Sequence, residues 1–146
     1  MNGSPQKDYS SILARLSMVA LYIVTGTGIA AIVIGYIIIG SGFYPVIEHK
    51  HFRNILFIVS LLELAALQVI KRSLIARIDI AAGTEEINYQ RLLFPTLVIA
   101  AACSGVSIYG LIAVIMGSSL EVLLLFVAIS LIGYQLFRIR ARDLPE

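Results

Sequence analysis

Four apolar stretches, at residues 16–39, 55–71, 92–116 and 120–137, constrain this chain most strongly. A helix of about 20 residues crosses a hydrocarbon core of about 30 Å, so each stretch is near the length of a transmembrane helix. The second stretch is the shortest, but the cationic side chains at its ends can reach toward the headgroups. We therefore predict an all-α integral membrane protein, with four transmembrane helices in an antiparallel bundle.

The composition supports this interpretation. Hydrophobic residues make up 59% of the 146 residues and charged residues 14%. In a soluble domain about a quarter of all residues are charged. A soluble helical protein would need polar faces on these stretches, and a β-barrel would need alternating apolar residues; neither pattern is present. The net charge of +2 is too small to indicate nucleic acid. We expect one domain, residues 1–146, with the lipid bilayer as its surroundings.

Local signals predict where the helices begin and end. Only residues 117–119 separate the third and fourth stretches, which predicts an antiparallel hairpin. Pro95 predicts either a kink or a late start of the third helix. Thr84, followed by two glutamates, is typical of a helix start, and the second helix is expected to continue along the membrane surface to Gly83. About ten residues at the start of the chain are expected to be disordered.

The basic residues predict the orientation. With four spans, both termini and the link between the second and third spans share one side of the membrane. That side carries nine of the eleven basic residues, and the other side carries only Lys50 and Arg53. The excess predicts that both termini face the cytoplasm. The nine residues are Lys7, Arg15, Lys71, Arg72, Arg77, Arg91, Arg138, Arg140 and Arg142.

Glu63 is an acid at the middle of the second stretch. If the midpoint of each stretch marks the bilayer centre, residues 27–28, residues 104–105 and Ser130 lie at the same level, with an error of about one turn. An acid at this depth costs about 2.5–3.5 kcal/mol, and burial disfavours its charged form. We expect a neutral Glu63 that donates a hydrogen bond to Ser104, Ser107, Ser130 or a backbone carbonyl.

The candidate intramembrane polar site therefore comprises Glu63, Gln68, Ser104 and Ser107, with Gln68 closer to the cytoplasm at the depth of Thr96 and Thr25. Two roles remain open for Glu63. One is a neutral interhelical hydrogen bond, and the other is the handling of a proton or another ion. No Lys, Arg or His falls at its depth, which favours the first role.

Small residues four apart predict close contacts between helix backbones. Because lipid provides no hydrophobic drive between helices, such contacts must hold the bundle or an oligomer together. This interpretation is favoured over a passage for a substrate. The pairs are Ala31 and Gly35, Ala101 and Gly105, Cys103 and Ser107, and Ala113 and Gly117, with Gly26 and Gly28 as a further contact point.

The residues that could carry chemistry do not form a catalytic or metal-binding pattern. Residues 48–51 offer one carboxylate and two histidines, a partial ligand set that indicates a solvated loop. Cys103, the only cysteine, lies in an apolar stretch and is expected to be inert. Three cations near the C-terminus are candidate contacts of anionic lipid headgroups: Arg138, Arg140 and Arg142. We expect neither an enzyme nor a cofactor.

Two stretches resemble the proteolipid subunits of rotary ATPases. Residues 107–114, "SIYGLIAV", are similar to their ion-carrying helix, and residues 26–31, "GTGIAA", to their glycine-rich inner helix. The resemblance would imply proton or ion conduction. Residues 103–105, where that family carries its carboxylate, contain no acid, and the two stretches lie in separate spans instead of one hairpin.

Residues 88–117, "NYQRLLFPTLVIAAACSGVSIYGLIAVIMG", with the short link, the apolar span and the arginine-rich tail that follow, resemble a loose group of small bacterial four-span proteins of unassigned function. The resemblance covers about the last sixty residues. It implies a four-helix membrane fold in a prokaryotic inner membrane. We expect a non-catalytic structural or accessory membrane protein, in a homo-oligomer or with other membrane subunits. The alternative is a proteolipid-like conductor that uses Glu63.

Overall fold

A computed structural model describes residues 5–42, 50–76 and 85–144 of the chain. These residues form four helices, α1 (Pro5–Gly40), α2 (Lys50–Ile75), α3 (Glu85–Ile115) and α4 (Leu120–Phe137), and one 3₁₀ turn at Ala141–Asp143. No strand occurs in these ranges. All four helices are long and apolar enough to cross a membrane, which confirms the predicted all-α fold with four spans. The chain is a multi-pass membrane protein.

The helix bounds agree with the apolar stretches for α4, whereas the other three helices are longer. The expectation of disorder is wrong for residues 5–10, because α1 begins at Pro5, and proline suits the first position of a helix. A late start at Pro95 is also wrong, because α3 begins at Glu85 and continues through the proline. The predicted surface extension beyond residue 76, and Thr84, lie outside the described residues.

The link between α3 and α4 is a tight glycine-capped turn. Gly117 has φ +96°, a conformation that glycine adopts without steric cost. Its N–H donates to the carbonyl of Val114 at 2.9 Å, and the N–H of Ser118 donates to the carbonyl of Ala113 at 2.9 Å. These two bonds satisfy carbonyls that the end of α3 would otherwise leave unpaired. The chain then reverses directly into α4, as the predicted hairpin requires.

Helix α3 is the centre of the bundle. It packs along α1 and α4 and, less extensively, along α2, whereas the contacts between α2 and α4 are few. Its residues Ile99, Ala100, Cys103 and Val106 are almost fully buried. Helix α2 is therefore a peripheral helix, and its attachment depends on few side chains.

Glycines mark the closest contacts within the bundle. A Cβ built on Gly110 would lie 2.7 Å from the Cβ of Phe126, so α3 and α4 approach more closely there than a larger residue permits. A Cβ on Gly35 would likewise lie 2.5 Å from Cδ2 of Leu123. Gly26 differs, because nothing lies within 4 Å of the corresponding position. Within the bundle, close packing is therefore found at Gly35, whereas the prediction of a contact at Gly26 stays open for an oligomer.

Hydrogen bonds join α1, α2 and the end of α4 at one end of the bundle. The hydroxyl of Tyr134 in α4 donates to the carbonyl of Ser17 in α1 at 2.8 Å. The ammonium of Lys71, near the end of α2, donates to the carbonyl of Arg138 just after α4, at 3.2 Å. The bundle end that contains Ser17, Lys71 and Arg138 is called the terminal end below.

Candidate functional site

Glu63 lies in the contact between α2 and α3. Its side chain is partly buried, and a Cβ on Gly105 would lie 3.5 Å from Oε1 and 3.9 Å from Oε2 of Glu63. The absence of a side chain at Gly105 therefore leaves room for the carboxyl group against the α3 backbone. Glu63 and Gly105 lie at one level, as the midpoints of their apolar stretches predict.

Tyr109 is the polar neighbour of Glu63. It lies one turn beyond Gly105 on α3, and its hydroxyl lies near the Glu63 carboxyl. A hydrogen bond in a membrane interior joins two helices because lipid offers no competing partner. Glu63, Gly105 and Tyr109 together form what we call the Glu63 site.

The serines at the same level are buried but do not bond to Glu63. Ser130 donates to the backbone carbonyl of Cys103 and so joins α4 to α3. The hydroxyl oxygens of Ser104 and Ser107, and Oε2 of Glu63, are buried and have no hydrogen-bond partner. Ser107 lies instead near Gly28 of α1, where a Cβ would be 3.9 Å from its hydroxyl oxygen. The expected bonds from Glu63 to Ser104, Ser107 and Ser130 are therefore not formed.

Gln68 does not belong to the Glu63 site. It lines a cleft of about 440 Å³ at the terminal end, together with Lys71, Arg72 and Asp143. Thr96, predicted at its depth, donates to the carbonyl of Leu92 within its own helix at 2.7 Å. The structure thus places Gln68 with charged residues at the edge of the span.

Lys71 and Asp143 form an ion pair that ties α2 to the segment after α4. The Lys71 ammonium lies 2.7 Å from Oδ2 of Asp143, and the N–H of Arg140 donates to the same oxygen at 2.9 Å. Burial raises the pKa of Asp143, but the bonds from Lys71 and Arg140 and the charges of Lys71 and Arg142 together lower it below its ordinary value. The carboxylate is therefore stabilised in its charged form.

The three arginines of the C-terminal segment have different surroundings. Arg142 is exposed, whereas Arg138 and Arg140 are partly buried. Arg138 and Arg140 line a second cleft, of about 270 Å³, formed with the first turns of α1. A guanidinium nitrogen of Arg140 also donates to the carbonyl of Gln135 at 3.1 Å.

The other candidate ligands remain dispersed. Cys103 is fully buried in the core, and His51 is exposed at the start of α2, while residues 48 and 49 lie outside the described ranges. Within those ranges no three His, Cys, Asp or Glu side chains are grouped as a metal site would require.

Sequence reasoning missed Tyr109 and Asp143 as partners. Tyr109 lies within about one turn of the predicted level of Glu63. Because counting residues gives depth only to about one turn, Tyr109 could have been predicted as a neighbour of Glu63. Asp143 follows the three arginines of the C-terminal segment, and no role was predicted for it. Lys71 lies near the end of α2 on the same side of the membrane, and its position could have indicated Asp143 as a partner of opposite charge.

Comparison with known proteins gives no relative for this chain. No protein-family model matches it, and no match is found among curated proteins or among solved structures.

Proposed function

We propose that this chain is a non-catalytic structural or accessory protein of a prokaryotic inner membrane, and that it works in a homo-oligomer or with other membrane subunits. The observation that carries this proposal is the position of Glu63. Its carboxyl group lies against Gly105 and near the hydroxyl of Tyr109, with which we expect it to form a hydrogen bond. In that position a neutral acid fastens the peripheral helix α2 to the central helix α3.

The open surface of α1 supports association with another helix. Gly26 and Ala30 are exposed and lie four residues apart, the spacing at which helix backbones approach closely. The space beside Gly26 is empty to 4 Å, unlike the space beside Gly35. A second copy or another subunit can therefore pack on α1 without displacing any part of this bundle.

A proton or ion conductor is the second candidate function. It is favoured by three oxygens in the middle of the spans that are buried without a hydrogen-bond partner, Oε2 of Glu63 and the hydroxyls of Ser104 and Ser107. Unpaired polar atoms in a membrane interior are costly and mark places where water or an ion can be accommodated. In this alternative the Glu63 carboxyl releases and rebinds the transported ion.

Substitutions at Glu63 separate the two functions. In Glu63→Gln the side-chain carbonyl is kept as an acceptor for Tyr109, so we expect unchanged thermal stability in detergent and no change in proton flux across liposomes. Glu63→Leu removes the acceptor and should destabilise the bundle by about 0.6 kcal/mol, the average for interhelical hydrogen bonds in membranes, and by no more than the maximum of about 1.7 kcal/mol. Loss of ion flux in a correctly assembled Glu63→Gln protein would instead establish conduction.

Tyr109→Phe is the matched control for this series, because it removes one hydroxyl and leaves Glu63 in place. If the two side chains bond, Tyr109→Phe and Glu63→Leu should each lower stability, and the double variant should lose less than the sum of the two. Fully additive losses would contradict the proposed bond.

The proposed orientation, with both termini in the cytoplasm, rests on the nine basic residues on that side against two on the other. A cysteine introduced at Ala141 should be protected from a membrane-impermeant thiol reagent added outside intact cells. A cysteine at Ser41, exposed at the other end of α1, should be labelled. The only native cysteine, Cys103, is buried and contributes little background. The reverse labelling pattern would overturn the orientation.

A further inference from the structure

The 270 Å³ cleft between α1 and the C-terminal segment has the features of an anion site. Ser10, Leu13 and Ser17 of α1 line one wall, and Arg138, Ile139 and Arg140 line the other. The cleft is much larger than the roughly 30 Å³ that one water molecule occupies. The cleft therefore combines two arginines, two serines and apolar side chains around a space large enough for a small anion.

The two arginines have unused hydrogen-bonding capacity. The Nε atoms of Arg138 and Arg140 are buried, and neither has a hydrogen-bond partner. Asp143, the acid that the structure describes in the same segment, is already paired with Lys71 and with the N–H of Arg140. Among the residues that the structure describes, no carboxylate is paired with the guanidinium groups of Arg138 and Arg140.

The cleft lies where the helices leave the membrane. The apolar stretch of α1 begins at Leu16, and that of α4 ends at Phe137, immediately before Arg138. Lipid phosphates lie at this level, and arginine binds phosphate through two parallel N–H donors. The bond from Tyr134 to the carbonyl of Ser17 ties the α1 wall of the cleft to α4.

We propose that this cleft binds a phosphate group, supplied by an anionic phospholipid headgroup or by free phosphate. Arg138 and Arg140 donate to the phosphate oxygens, and the apolar wall formed by Leu13 and Ile139 accommodates the adjacent glycerol or the start of an acyl chain. Arg142 is exposed and lies outside the cleft, so it is not part of this site.

The test uses the full chain in nanodiscs that contain phosphatidylglycerol and phosphatidylcholine, with retained lipid counted by native mass spectrometry. Arg138→Lys combined with Arg140→Lys keeps the charge and the topology signal but removes the forked donors. We expect retained phosphatidylglycerol to fall about tenfold. The matched control is Arg15→Lys with Arg142→Lys, which changes exposed arginines at the same end and should alter retention less than twofold.

Equal losses in the two double variants, or no loss in either, would overturn the proposal, because retention would then reflect general charge attraction. Retention of oleate as strongly as phosphatidylglycerol would also overturn it, since a carboxylate would then suffice. Millimolar inorganic phosphate distinguishes the two sources: displacement of the lipid identifies free phosphate as the ligand, and persistence of the lipid identifies the headgroup. Circular dichroism of each variant verifies that the helices are intact.

Discussion

Gly110→Ala is expected to destabilise the bundle by about 1–3 kcal/mol, because the added methyl group overfills the contact between α3 and α4. The new Cβ would lie 2.7 Å from the Cβ of Phe126 and 3.0 Å from Cδ1 of Leu123. The Cβ of Phe126 is fixed to the backbone and cannot rotate away, so the two helices must separate. Alanine favours a helix over glycine by about 1 kcal/mol, which offsets only part of this cost. Thermal unfolding in detergent, followed by circular dichroism, measures the difference.

Gly26→Ala is the control for this prediction. It makes the same chemical change in a helix, but at a position with nothing within 4 Å. Stability should therefore remain equal or rise by up to about 1 kcal/mol through helix propensity. If Gly110→Ala proved as stable as Gly26→Ala, α3 and α4 would have to be farther apart than the structure shows.

The four spans could be predicted from sequence because lipid imposes a simple requirement. A helix must satisfy its own backbone and must cross about 30 Å of hydrocarbon, so an apolar stretch of the right length is a direct signal. The hairpin at Gly117 was predictable for a similar reason, since three residues permit only a sharp reversal. The depth of Glu63 relative to Gly105 followed from counting residues along two stretches.

The neighbours around each helix could not be predicted in the same way. Depth counting gives a level along the helix axis but not the direction in which a side chain points. Ser104 and Gly105 are adjacent in sequence, yet Gly105 contacts Glu63 while the Ser104 hydroxyl has no partner. Because each stretch is apolar on all sides, no hydrophobic period identifies the face that packs on another helix. The central position of α3 therefore became visible only in the structure.

Helix α2 is held at several levels along the bundle, and two of its contacts involve polar side chains. The ring of Phe57 meets that of Phe126 edge to face, with centroids 6.1 Å apart. Glu63 lies against Gly105 near the middle of the membrane, and Lys71 pairs with Asp143 at the terminal end. Since α2 packs less extensively on α3 than α1 or α4 does, loss of one polar contact should loosen α2 before the rest of the bundle.

Lys71→Met is expected to release the C-terminal segment. The substitution removes the bonds from the ammonium to Asp143 and to the Arg138 carbonyl, and hydrogen bonds to charged groups contribute about 1.5–3 kcal/mol. A loss of about 1.4 kcal/mol corresponds to a factor of ten in an equilibrium constant. The equilibrium constant for local opening of residues 138–144 should therefore increase about tenfold or more. Hydrogen–deuterium exchange of this segment in detergent measures the change. Arg72→Met, at an exposed neighbouring position, is the control and should leave exchange unchanged.

Acidification should reproduce this release in the unsubstituted protein. Because the folded structure holds the pKa of Asp143 below its ordinary value, the pair contributes its full stability above about pH 4, the ordinary range of an aspartate. This contribution is lost as the pH falls through the lowered pKa and Asp143 becomes protonated. Exchange, corrected for its intrinsic pH dependence, should thus rise below about pH 4 in the native chain and stay flat in Asp143→Asn, which has no carboxylate to protonate. A rise of equal size in both proteins would mean that another group controls the release, and the ion pair would then be incidental to how the C-terminal segment is held.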